Sequence, residues 1–223
     1  MLKKKLVGFI LTRTLSNILI ISGLLVLTTT FWPLIGSELR YRWRWFRGKG
    51  PGSSTPGAFN QLSREPWPLY SLPVSKEFSL VCDKIGLNAP VIANVSLTDK
   101  GAYKQALREG IAHAQGSALP GQPGAVYVFA HTSLDFWALG KYATVFNLLR
   151  KLEPNDRLSI FYLGARYDYQ VTRREIVSGF NTEPLKRQYG APMLLMQTCD
   201  PPGTTLNRLV VTAKQVASYP SKD

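Results

Sequence analysis

Between Thr14 and Ser37 the chain carries no charged side chain, and Leu15–Leu27 is almost wholly Leu, Ile, Val, Ser and Gly. At a helical rise of 1.5 Å per residue, about 20 such residues cross the hydrocarbon layer of a bilayer. A cleaved signal peptide would carry an apolar core of about 7–15 residues followed by a small-x-small site. This run is longer and no Ala-x-Ala follows it, which favours a retained transmembrane anchor over 14–37 behind a short basic N-terminus, 1–13. Trp32, Tyr41, Trp43, Trp45 and Phe46 read as an interfacial aromatic belt interleaved with arginine.

The charge follows the same division. Residues 1–75 hold ten Lys/Arg against two acids, a net of +8; residues 76–223 hold seventeen against twelve, a net of +5. Basicity concentrated beside the apolar run points to anionic lipid as its partner. Scattered charge on the remainder argues against a nucleic-acid partner, which would call for a basic stripe on the folded domain. Basic residues flank both ends of the run, so charge alone does not set its orientation. Gly48–Ser75, within the basic and aromatic segment 38–75, is rich in Gly, Pro and Ser and reads as a tether.

From residue 76 to 223 the texture changes to short apolar runs bounded by Gly, Pro and Asn. Seven of them read as strands: Phe78–Cys82, Val91–Val95, Ala125–Ala130, Leu158–Leu163, Tyr167–Val177, Met193–Thr198 and Leu209–Ala213. Thr98 or Asp99 is placed to cap a helix running to about Ile111, and Tyr142–Leu152 carries Val145, Leu148, Leu149 and Leu152 on one helical face. Many short strands with few helices predict a mostly β barrel or sandwich.

Two cysteines and two histidines limit the chemistry. Metal-ligand spacing is lacking, so neither a metal nor another cofactor is expected. Cys82 sits inside an apolar run and reads as a small core residue. Cys199 instead ends a strand, before the turn Asp200-Pro-Pro-Gly203, and the next strand carries Arg208. Antiparallel pairing would put Cys199 and Arg208 at one open end. A cation beside an accessible thiol favours the thiolate, and a histidine can then protonate a departing amine. His131 closes the run Gly124–Ala130 at a strand end, whereas His113 follows the helix.

Leu195-Met-Gln-Thr-Cys199 followed by Arg208 resembles the sortase signature Thr-Leu-x-Thr-Cys…Arg. Pro120-Gly-Gln-Pro-Gly124-Ala-Val-Tyr-Val-Phe-Ala130-His131 is similar to that family's approach to its catalytic histidine, and Gly110–Gly121 to the segment before it. The resemblance covers about residues 76–217. It implies a closed eight-stranded β-barrel and a cysteine transpeptidase. Cys199 would attack the Thr–Gly carbonyl of a Leu-Pro-x-Thr-Gly-like sorting signal, His131 would protonate the leaving amine, and Arg208 would steady the oxyanion or hold the substrate backbone. Thr198, Leu195 and Ala130 would line the substrate site, and His113 would order its loop. The implied partners are surface proteins bearing the signal, a peptidoglycan-precursor or pilin amine as acceptor, and membrane lipid through the anchor. The implied topology is a cytoplasmic N-terminus with the domain outside the cell.

Leu195 and Met196 depart from the signature, and Ala130 stands where glycine often precedes the histidine. The nine-residue step from Cys199 to Arg208 points to a compact loop and a housekeeping or minor, class D/E-like subclass. Two other functions share these residues: a cysteine hydrolase with water as acceptor, and a non-catalytic tethered domain that binds a wall component.

Overall fold

Eight strands wind into a closed barrel in the order β1-β2-β3-β4-β7-β8-β6-β5, as the computed structural model of the chain displays. The strands are β1 (Phe78–Cys82), β2 (Leu87–Val95), β3 (Ile111–Ala114), β4 (Gly124–Phe129), β5 (Arg157–Tyr162), β6 (Ala165–Ser178), β7 (Pro192–Asp200) and β8 (Asn207–Tyr219). The structure describes residues 2–46, 66–69, 71–130, 142, 146–181 and 183–221. β2–β3 and β4–β7 pair in parallel, and the other neighbours antiparallel. Closure leaves no strand at an open edge along the paired stretches, which removes the templates for edge-to-edge association.

Alternation builds the interior. Leu194 and Met196 of β7, Leu80 of β1 and Ile160 of β5 are fully buried, each contributing about 1.5–3 kcal/mol on burial, and Tyr169 of β6 is buried with them. The seven expected strands are all present. The additional strand is β3, which follows directly on the helix α2 (Lys100–Glu109). Asp99 caps α2, its Oδ1 accepting from Gly101 N–H at 2.8 Å and Ala102 N–H at 3.1 Å. The helix ends at Glu109 rather than Ile111, because Ile111 is drawn into a parallel ladder against Val91. Gly110 makes the change of direction: a Cβ there would strike the carbonyl oxygen of Pro90.

The expected helix Tyr142–Leu152 differs from what is observed. Its described core is a 3-10 turn, Asn147–Lys151, while 143–145 lie outside the described residues. Arg174 of β6 holds this turn by donating to the carbonyls of Arg150 and Leu152. Those tertiary bonds go to carbonyls at the end of the turn, where backbone acceptors lack helical partners.

The helix α1 spans Leu2–Phe46 and contains Thr12–Thr29, long and apolar enough to cross a membrane, with mean hydropathy 1.3. The chain divides into two units, Met1–Gly36 and Ser37–Asp223. Within the second, Ser37 is buried and Glu38 accepts from Lys151 Nζ at 2.8 Å. Lys151 Nζ also lies 5.5 Å from the centre of the Tyr41 ring.

The described end of the Gly/Pro/Ser-rich segment is fastened to the barrel. Trp67 lies beside the guanidinium groups of Arg157 and Arg166, at 5.0 and 5.8 Å from its ring centre, and its carbonyl accepts from Arg166 at 2.8 Å. Ser71 donates to Asp83 at 2.6 Å, and Asn88 bonds both Leu72 O and Val74 N–H. These partners belong to β5, β6 and the β1–β2 region, across the barrel from β4 and β7. Residues 48–65 and 70 of the expected tether lie outside the described residues.

Candidate active site

β7 and β8 run antiparallel from Met193↔Lys214 to Asp200↔Asn207, and in that register Cys199 stands directly opposite Arg208. Residues opposite one another on one face have Cβ atoms about 5 Å apart. The sequence requires this ending, since Pro201 and Pro202 cannot extend a ladder and the turn through Gly203, at φ 84°, reverses the chain. A glycine suits that left-handed conformation. The two site residues that sequence placed at one strand end are therefore neighbours. His131 lies outside the described residues.

Ala130 is described, and it is secured to β7. Its N–H donates to Gln197 O at 3.3 Å, and its carbonyl accepts from Thr198 Oγ1 at 3.2 Å. Thr198 is 3 % exposed, so its hydroxyl ties the end of β4 to β7 from within the barrel. Leu195 is buried and belongs to the face of β7 that carries Gln197 and Cys199, by the two-residue period of a strand.

That face has an aromatic floor that sequence reasoning did not single out. Tyr127 and Phe129 of β4 stand opposite Leu195 and Gln197, and their rings lie 5.8 Å apart. Tyr103 of α2 stacks on Phe129 at 5.3 Å with a 14° interplanar angle. Burial pushes the Tyr103 phenol up to about 12, a nearby Cys199 charge adds to the rise, and Arg208 opposes it. Tyr127 is raised too, chiefly by burial, with Tyr103 and Cys199 adding and Arg208 opposing. Both phenols thus stay protonated beside the Cys199–Arg208 pair and serve as neutral walls. Tyr127 and Phe129 at a spacing of two, just before His131, were the available signal.

The remaining residues divide cleanly. Cys82 is fully buried, its thiol pushed up to about 12 by burial, and its Sγ approaches Arg157 O at 3.5 Å. The two cysteines are not joined in a disulfide. His113 is 2 % exposed. Its Nδ1 accepts from Asn94 N–H at 3.2 Å, which places the proton on Nε2, shared between Ala118 O at 3.0 Å and Ser117 Oγ at 2.7 Å. A neutral histidine so occupied joins β2, β3 and the β3–β4 connection. Arg208 donates to Thr205 O and Asn207 O at 3.2 and 3.1 Å and is partly exposed.

Residues 80–216 match the sortase domain family, and the chain belongs to that family. Among solved structures it is similar to sortase C-1 from Actinomyces oris, at 26 % identity over 64 % of this chain and 75 % of that one, TM-score 0.53. A sortase D5 transpeptidase from Clostridium perfringens matches at 22 % identity over 63 % and 79 %, TM-score 0.51. Listeria monocytogenes sortase A matches at 16 % identity over 63 % and 87 %, TM-score 0.50. The likeness thus extends across classes C, D and A without singling out one. No curated protein matches the chain. The chain is a cysteine transpeptidase of the sortase family.

Proposed function

We propose that this sortase cleaves a Leu-Pro-x-Thr-Gly-like signal through a Cys199 thioester and passes the acyl group to a cell-wall or pilin amine. The observation that carries the reading is the direct pairing of Cys199 with Arg208 beside the aromatic floor of β4. The Cys199 thiolate adds to the Thr carbonyl, and Arg208 donates to the oxyanion. As the intermediate collapses, the C–N bond breaks and His131 gives its proton to the departing glycine amine. An incoming amine then attacks the thioester, loses a proton to His131 and releases the thiolate. An oxyanion donor of this kind contributes about 10²–10³ in rate. Thr198 acts as a positioning residue, since its bond to Ala130 O sets the chain just before His131 relative to β7.

The apolar stretch Thr12–Thr29 supports a retained anchor, with the barrel on the outer face where surface proteins and wall amines meet. We assign 1–13 to the cytoplasm, 14–37 to the membrane, 38–75 to the juxtamembrane connection and 76–223 to the catalytic domain. The short Cys199–Arg208 connection supports a class D/E-like subclass.

The test is to incubate the full chain in detergent micelles with a labelled Leu-Pro-x-Thr-Gly peptide and a glycyl or diamino-acid acceptor. The expected product is the new amide, rising with acceptor concentration. Hydrolysis alone, even at saturating amine, would refute the transferase assignment.

A further inference from the structure

Leu195 stands four residues before Cys199 on the same strand face, about 13 Å away at the usual strand rise. At that level the floor opens into a cleft of about 740 Å³, with Tyr127 and Leu195 at its base. The β3–β4 connection walls one side with Gln115 and Gln122, and the β6–β7 connection walls the other with Arg187 and Gln188. Specific bonds hold both walls. Gln122 Oε1 accepts Leu119 N–H at 3.0 Å. Arg187 is gripped by Glu183 at 2.7 and 2.6 Å and by Glu175 at 2.9 Å. Gly121, at φ 87°, seats the first wall on Tyr167, where a Cβ would come within 2.7 Å of the ring.

Arg187 and Arg173 share the two carboxylates of Glu175 and Glu183, so the cluster is balanced and that wall offers no net positive charge to an anion. The polar side chains left to meet a ligand are the amides of Gln115, Gln122 and Gln188 and the phenols of Tyr127 and Tyr189. An extended peptide whose reacting carbonyl sits at Cys199 advances about 3.3 Å per residue. The Leu of the signal lies three residues upstream of the reacting Thr, so the fourth, the residue just before the signal, reaches Leu195 in the cleft, and the one or two before it lie over the cleft as well. The volume falls in the range of pockets that enclose a drug-sized ligand, more than one side chain fills. The chain's direction follows from the chemistry. The acyl part is retained through both half-reactions, whereas the leaving amine must depart and another must enter. A walled cleft suits the part that stays.

We propose that this cleft is an extension site for the two or three residues that precede the sorting signal, binding them extended through their backbone and neutral polar side chains by way of Gln115, Gln122 and Gln188. The assignment rests on Cys199 being the nucleophile. It makes the segment joining the signal to its surface protein a determinant of substrate choice.

The experiment compares, on the full chain in detergent micelles, a capped Leu-Pro-x-Thr-Gly peptide with versions extended upstream by Ser-Asn-Ser or by Asp-Asp-Asp. The neutral extension is expected to lower KM about tenfold, equivalent to about 1.4 kcal/mol, with kcat unchanged, as uniform binding requires. In Gln188→Ala and in Gln122→Ala the ratio of kcat/KM between extended and minimal peptides falls towards one. Gln188 is exposed, so its variant keeps the test informative if Gln122→Ala disturbs its turn. Equal KM for the extended and minimal peptides, a gain that survives both substitutions, or a stronger gain from the acidic extension would overturn the proposal. Absence of turnover with every peptide would instead overturn the Cys199 reading beneath it.

Discussion

The two thiols should differ in reactivity by orders of magnitude, and the difference follows from where the fold puts them. Cys82 is wholly inside the barrel with its pKa pushed up to about 12. At pH 8 only about one Cys82 in ten thousand is then a thiolate, the form that reacts. Burial adds a second barrier, because an alkylating reagent reaches Sγ only through an opening of β1 against β2 and β5. Cys199 is partly exposed at a strand end beside Arg208. A short pulse of iodoacetamide on the native full chain at pH 8, quenched and mapped by trypsin, separates the two sites, since they fall in peptides 77–84 and 188–208. The expected rate ratio exceeds about 10³ in favour of Cys199, both sites label after denaturation in guanidinium, and Cys82→Ala leaves Cys199 labelling unchanged. Comparable native labelling of both peptides would refute the placement of Cys82 in the core and, with it, the contrast on which the nucleophile was chosen.

Three further outcomes follow from the geometry. Arg208→Ala lowers kcat by about 10²–10³ while leaving the Tm within a few degrees, as expected for an oxyanion donor on a partly exposed strand position; steady-state kinetics with thermal melts check it. Asp168→Ala removes a fully buried carboxylate that accepts from Ser159 at 2.6 Å and Arg166 at 2.7 Å. It leaves Arg166 without its anion and destabilises the barrel by about 3–5 kcal/mol in urea titrations. His113 has its pKa lowered by burial, against a smaller opposing effect of Ala118 O. The unfolded chain therefore binds the proton first. Stability is fully present above about pH 6.5 and falls as pH drops through the lower folded value. The slope is up to about 1.4 kcal/mol per pH unit, and chemical denaturation of His113→Gln should display a shallower acid limb.

Much of the barrel was legible because its strands satisfy local rules. Phe78–Cys82 is bounded as expected, and Pro201-Pro202 stops β7 where the ladder ends. The Cys199–Arg208 pairing needed only an antiparallel hairpin of that length. What escaped depends on closure. Ile111–Ala114 is four residues long and follows a helix, so its strand character comes only from its pairing with β2 on one side and β4 on the other. β2 begins at Leu87, ahead of the Pro90 that would ordinarily demote the run. The helix expected at Tyr142–Leu152 tightened into a 3-10 turn whose carbonyls Arg174 takes up, a partner 22 residues or more away in sequence. Tyr103 joins Phe129 only because α2 packs on β2 and β3, next to β4 in the barrel, and the cleft at Leu195 forms only when two distant connections face each other. For His113 an ordering role was legible, but not the partners that fix its tautomer, since one is a backbone N–H donated by Asn94 at a bend in β2.

The most direct test of the central claim is intact-mass analysis of the full chain mixed with a Leu-Pro-x-Thr-Gly peptide and no added amine. The expected result is a mass increase equal to the acyl fragment, mapped to Cys199 in peptide 188–208, discharged by added amine and absent from Cys199→Ala. An acyl adduct on any other residue, or undiminished product formation by Cys199→Ala, would contradict it.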